Sequence, residues 1–262
     1  MKILITISTD KCSEIFQKLL LGDRREPVRI DPRDEPNTIK ENDVVGALWR
    51  FIKGDYMNGQ SPIPAGDMEK IEMLYNCRHK FKKYLTPKSK LLYRGSTLNL
   101  SKAKSLLKRL PTPTKLRGVS GKPSSDASLY SGMDLKGGVK FYVFDYKYTP
   151  KMKIQSWTTD GIVAGMFSLE DVGQAGDPVG NYVKKIDRRV DTLIHAPNQL
   201  KGIPVIYQAS TDDSFFGSKE FGNKVGDAVI GMWQNEIYRL GRSIKVKMYV
   251  PCVMLDALKE KM

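Results

Sequence analysis

Three short segments, in a fixed order along the chain, hold side chains that could act on a sugar carrying phosphate groups. Tyr93-Arg94-Gly95 closes one apolar run, Ser156-Trp157-Thr158 closes a second, and Gln234-Asn235-Glu236 opens a third. An arginine fork grips phosphate oxygens in pairs, a geometry that lysine does not reproduce. A carboxylate such as that of Glu236 can accept a hydrogen bond from a sugar hydroxyl. It also opposes the positive charge that develops when a glycosidic bond breaks. Each motif alone is commonplace; the order and the context carry the argument.

The elements that must position these residues follow from apolar spacing. Val45, Leu48, Trp49, Ile52 and Tyr56 predict a helix from about Asn42. Asp67 is expected to cap a second helix, with Ile71, Leu74, Cys77, Phe81 and Leu85 on one stripe. Leu91 to Arg94 reads as a short buried strand stopped by Gly95, and Ser101 as the cap of a third helix ended by Pro111. Residues 111–138 read as an irregular surface segment. Strands are expected over Val139–Tyr148, Ile154–Trp157 and Gly202–Ala209, from Gly231 through Glu236, and over Ile244–Val250. Thr159 or Asp160 should cap a helix holding Ile162, Met166 and Phe167. Helices first and strands after predict an α+β fold with mostly antiparallel sheets. Residues 1–41 form a segment of unassigned role, and 42–262 a single domain. Within it, 42–86 is a helical lobe and 87–262 a β core.

Together, the three motifs and the run Ile237 to Val246 that follows Glu236 resemble the Arg, Ser-x-Ser/Thr, Glu pattern of mono-ADP-ribosyltransferases related to clostridial exoenzymes and tailed-phage enzymes. The resemblance spans about Leu91 to Pro251. It implies two packed sheets forming a cleft for NAD, preceded by a helical lobe. It implies an enzyme that splits NAD at the nicotinamide–ribose bond and transfers ADP-ribose to a macromolecule. Glu236, Gln234 and Ser156 take the catalytic roles, with Ser156 orienting Glu236. Arg94 holds the NAD phosphates, assisted by Tyr93, Gly95, Trp157 and Thr158. The backbone of Gly95 approaches the nicotinamide amide because it lacks a β-carbon, Thr158 supports the strand end, and Trp157 packs in the core or beneath the nicotinamide. Gln234 in place of an acidic residue speaks against an arginine acceptor. Phe215, Phe216 and Phe221, in the loop before the third motif, are candidate acceptor contacts, with burial in the core as the alternative. The implied setting is a toxin or a phage-encoded effector.

The net charge of +14 is concentrated. Arg78 to Lys122 holds fourteen of the 43 basic residues and none of the 29 acidic ones, so the remainder balances. Such a block predicts a polyanionic partner: RNA, DNA, or a protein bound to them. A solvated lysine-rich face is the plainer alternative. The acceptor is expected to be a protein, with direct modification of nucleic acid as the alternative. Two rival classes are a non-enzymatic nucleic-acid-binding protein that stacks bases on Phe141-Tyr142-Val143-Phe144-Asp145-Tyr146, and a degenerate transferase fold kept as an interaction module. Cys12, Cys77 and Cys252 are scattered and odd in number, which argues against a disulfide framework and for a reducing cytoplasm. His79 and His195 are too few for a zinc site. No metal, no membrane span and a monomer are expected.

Overall fold

The computed structural model describes residues 12, 47, 63–80, 82–116, 119, 139–150, 153–169, 178–217, 236–241 and 243–262. In chain order the elements are α1 (Ala65–Cys77), α2 (Lys82–Leu85), β1 (Leu91–Leu98) and α3 (Leu100–Leu106), which a 3-10 turn at Leu107–Arg109 continues. Then follow β2 (Phe141–Tyr148), β3 (Ile154–Thr158), α4 (Gly161–Ser168), α5 (Pro178–His195) and β4 (Ile203–Ser210). The last are β5 (Phe215–Phe216), β6 (Glu236–Leu240), β7 (Ile244–Pro251) and α6 (Cys252–Glu260). The class is α+β, and the strand pairs are antiparallel. Two compact units divide the chain: Met1–Lys88 with Asp213–Leu240, and Ser89–Asp212 with Gly241–Met262. The helical segment therefore shares its unit with β5 and β6, strands that the sequence assigned to the β core.

In the first unit, α1 buries the expected stripe of Ile71, Leu74 and Cys77, and Leu85 of α2 is buried too. Pro64, not Asp67, is the cap residue; its carbonyl accepts from the backbone N–H groups of Asp67 and Met68, both at 3.0 Å. Asp67 lies in the first turn, where the helix dipole favours a carboxylate. The β5–β6 pair matches Phe215 with Arg239 and Phe216 with Tyr238. Tyr75 ties α1 to it, donating from its hydroxyl to the Asp213 carbonyl at 2.8 Å and meeting Phe216 edge-on at 5.6 Å.

Cys12 and Cys77 are joined in a disulfide, with their Cα atoms 5.7 Å apart. This corrects the expectation of unpaired cysteines. Separation in sequence does not prevent two thiols from meeting once the chain folds. A structural disulfide of this kind persists in oxidising compartments, so it weighs against the reducing cytoplasm expected from cysteine count. Cys252 is a free, buried thiol. Among the described residues, no helix is long and apolar enough to cross a membrane.

The second unit is built on strands in the order β2-β7-β4-β1-β3. β1 and β4 pair along their full length, from Leu91 opposite Ser210 to Leu98 opposite Ile203. Gly95 does not stop β1 but lies in its middle. Side chains alternate across a strand, so Tyr93 and Gly95 share one face and Arg94 takes the other. On the first face Ile162, Ala164 and Met166 of α4, together with Tyr182, Val183 and Ile186 of α5, form a core with Phe141 and Ile206. A β-carbon on Gly95 would sit 2.0 Å from the carbonyl oxygen of Ala164 and 2.5 Å from the backbone nitrogen of Ser168. That glycine lets α4 lie directly on the sheet. Asp160 caps α4, its carboxylate accepting from Ile162 N–H at 3.0 Å. In α3 the cap is Asn99, which accepts from Lys102 N–H at 2.8 Å, and the expected cap Ser101 lies inside the helix.

Candidate anion-binding site

The face of the sheet that carries Arg94 also carries a row of aromatic side chains. Tyr146 and Tyr148 of β2, Tyr207 of β4 and Trp157 of β3 come together there. Tyr146 stacks on Tyr207 at 5.7 Å with rings 9° from parallel, and Tyr148 lies tilted against Tyr207 at 4.6 Å. Trp157 meets Tyr148 edge-on at 6.1 Å. These are contacts worth somewhat more than their buried area, on the order of 1 kcal/mol each.

Arg94 is half-buried among them. Its Nε donates to the Tyr148 hydroxyl at 3.1 Å, and its Nη1 donates to the Ser156 carbonyl. Two of the five guanidinium N–H groups are thereby fixed in direction by neutral acceptors. Both of these hydrogen-bond partners of Arg94 are uncharged. Burial raises the Tyr207 hydroxyl above its ordinary pKa, and Tyr146 and Tyr148 push the same way. Arg94 and a hydrogen bond with Ser96 oppose that rise. The Tyr207 phenol therefore stays neutral at physiological pH and does not cancel the arginine's charge. A half-buried, oriented guanidinium with neutral hydrogen-bond partners is suited to an anion that presents paired oxygens, such as a phosphate or carboxylate.

The other residues expected at the site are placed as follows. Ser156 is half-buried on β3, next to Arg94 through its backbone carbonyl. Trp157 is buried in the aromatic row, so of the two alternatives for it the core position is the observed one. Thr158 is buried, and its hydroxyl accepts from Asp160 N–H at 3.1 Å, shaping the turn from β3 into α4. Tyr93 lies on the opposite face from Arg94: its hydroxyl accepts from Gln208 Nε2 at 3.2 Å, and Gln208 accepts from the Tyr249 hydroxyl at 3.2 Å. Gly95 is corrected from a ligand approach to a packing position, since the space a β-carbon would take is filled by α4.

Phe215 and Phe216, expected at an acceptor, are buried within their own unit. Arg239 lies 5.7 Å over the Phe215 ring, and Phe216 contacts Tyr75 and Tyr238. The core alternative holds for both. Glu236 is the first residue of β6; Gln234 and Phe221 lie outside the described residues. No group of His, Cys, Asp and Glu able to hold a metal ion occurs among the described residues.

Tyr148 and Tyr207 are the residues that sequence reading missed. The alternation Tyr142, Phe144, Tyr146, Tyr148 along β2 was the available signal, since it puts aromatics on one face of a strand. Comparison with protein-family models, with curated proteins and with solved structures finds no match to this chain.

Proposed function

We propose that the chain is a mono-ADP-ribosyltransferase that takes NAD as its substrate and passes ADP-ribose to a macromolecule. The observation that carries the reading is Arg94, a half-buried guanidinium oriented by the Tyr148 hydroxyl and the Ser156 carbonyl. Its remaining N–H groups suit the paired phosphates of NAD. Support also comes from the order of the motifs along the chain and from their placement on strands, with Arg94 on β1, Ser156 on β3 and Glu236 opening β6. In this reading the carboxylate of Glu236 opposes the positive charge on the ribose as the bond to nicotinamide breaks. The electron pair of that bond leaves on the nicotinamide nitrogen. An acceptor heteroatom then bonds to the ribose anomeric carbon and gives up its proton. Gln234 takes part in choosing the acceptor, and a swap to Glu that changed neither acceptor nor rate would remove that role. The acceptor is a protein in the first reading and a nucleic acid in the second, which the excess of cations favours.

Incubation of the protein and of a Glu236→Gln variant with labelled NAD and a cell lysate, followed by protease or nuclease, tests the proposal. Label that the variant fails to transfer supports it, and the digestion that removes the label identifies the acceptor class. If neither protein transfers label or releases nicotinamide, the proposal fails.

A further inference from the structure

The aromatic row on the Arg94 face has a definite contact order. Trp157 is edge-on to Tyr148, Tyr148 is tilted against Tyr207, and Tyr207 is stacked on Tyr146. Three of these rings serve the fold or the guanidinium: Trp157 and Tyr207 are buried, and Tyr148 turns its hydroxyl to Arg94. Tyr146 ends the row and does neither. It is half-buried on β2, the strand at one end of the sheet order. Among the described residues its ring has one aromatic neighbour, Tyr207, whose plane lies 9° from its own at 5.7 Å.

A ring has two faces, so this near-parallel pair leaves the outer face of Tyr146 as the end of a stack. A planar base continues such a stack at little conformational cost. The guanidinium is within reach of the same ligand. Strands β2 and β1 are separated in the order by β7 and β4, yet the Tyr148 hydroxyl reaches Arg94 at 3.1 Å, so side chains of the two strands converge. Tyr146 points to the same side as Tyr148 and stands two residues away, roughly 7 Å along the strand. A base, a ribose and its phosphates are long enough to bridge that step. Free phosphate would engage Arg94 alone, whereas a nucleotide engages both.

We propose that Tyr146 is a specificity-determining residue of this site: its outer face stacks the adenine of a nucleoside diphosphate whose phosphates Arg94 holds. The inference rests on the transferase reading above, which supplies the choice of base. In that reading the bond that breaks lies on the Ser156 side, and Ser156 is the chain neighbour of Trp157. Tyr146 is the ring furthest from Trp157 in contact order. It therefore receives the base remote from the reacting bond, adenine rather than nicotinamide.

Isothermal titration calorimetry with ADP, nicotinamide mononucleotide and inorganic pyrophosphate tests it, on wild type and on Tyr146→Leu, Tyr146→Trp and Arg94→Gln. Wild type should bind ADP more tightly than pyrophosphate. Tyr146→Leu should weaken ADP binding roughly ten-fold, the size of one lost base–aromatic stack. It should leave pyrophosphate and nicotinamide mononucleotide close to wild type. Tyr146→Trp keeps a stacking ring and should keep the affinity for ADP. The fluorescence it adds over wild type should be quenched by ADP and not by pyrophosphate, which carries the test should Tyr146→Leu lower the melting temperature. Arg94→Gln should weaken all of these ligands. With that Arg94 result in hand, unchanged ADP binding in Tyr146→Leu, a loss confined to nicotinamide mononucleotide, or unquenched Tyr146→Trp fluorescence would overturn this inference and leave the anion site standing. If wild type bound none of the ligands, or Arg94→Gln bound them as wild type does, the anion site would fall and this inference with it.

Discussion

The guanidinium of Arg94 and the hydroxyl of Tyr148 meet at 3.1 Å across the sheet, joining strands β1 and β2 that are not neighbours in it. Tyr207, on the strand β4 beside β1, fills the space between them as a neutral ring. The orientation of this candidate phosphate ligand is thus set by an aromatic wall. Removing the hydroxyl while keeping the ring isolates that effect. In the transferase reading proposed above, Tyr148→Phe should raise the KM for NAD about ten-fold, since a hydrogen bond to a charged group contributes on the order of 1.5–3 kcal/mol. The melting temperature should hold. A KM equal to wild type in an active enzyme would remove Tyr148 from the site.

Gly95 and Gly66 provide an opposed pair. A β-carbon at Gly95 would overlap Ala164 at 2.0 Å, whereas at Gly66, in the first turn of α1, no atom lies within 4 Å. Gly95→Ala should cost roughly 3 kcal/mol or more, because backbone rather than a flexible side chain must move. Gly66→Ala should instead stabilise by about 0.5–1 kcal/mol through its helix propensity. Urea denaturation of both variants checks the contrast, and equal midpoints would contradict the packing of α4 on β1.

The Cys12–Cys77 bond closes a loop across a sequence separation of 65. Chain-entropy reasoning assigns such a crosslink a stabilisation of about 4 kcal/mol. Reductant should therefore lower the denaturant midpoint, and Cys12→Ser should lower it equally with or without reductant. A wild-type midpoint indifferent to reductant would mean that the bond contributes nothing.

Alkaline pH should unfold the protein through its phenols. Burial, together with the hydrogen bond from its hydroxyl to Asp256 at 2.9 Å, pushes the Tyr142 pKa from 10.0 up to about 12. Burial raises Tyr182 in the same direction. A group whose pKa is higher folded than unfolded adds stability below its unfolded value, and that stability is lost as pH climbs towards the folded one. Stability should fall between pH 10 and about 12. Tyr142→Phe should be about 1 kcal/mol less stable at neutral pH and show a shallower alkaline fall. A fall as steep as in wild type would assign it to other groups.

Much of the second unit was legible because its elements announce themselves locally. The β-branched and aromatic run at Val139–Tyr148, the alternation at Ile244–Val250 and the Asp160 cap all rest on spacing within a few residues. Helix α5 went unread even though Val183, Ile186, Val190 and Leu193 recur at helical steps; its cations obscured the stripe. Gly95 looked like a terminator, because its local propensity is poor, and only the approach of α4 explains it. Tertiary context also decided Cys12 with Cys77 and the burial of Phe215 and Phe216, where partners distant in sequence supply the contact. Of the candidate site, Arg94 and Ser156 were readable as motifs, but Tyr148 and Tyr207 entered through strand pairing.

The residue-for-residue ladder between β1 and β4 leaves no slack. Slipping that ladder by a single position would carry Arg94 beneath α4 and turn Gly95 towards the aromatic row, so a misregistered chain would be both badly packed and blind to anions. Recovery of the proposed anion binding after dilution from denaturant would therefore count the molecules whose strands have annealed in phase, which makes Arg94 a gauge of folding fidelity as well as a proposed ligand.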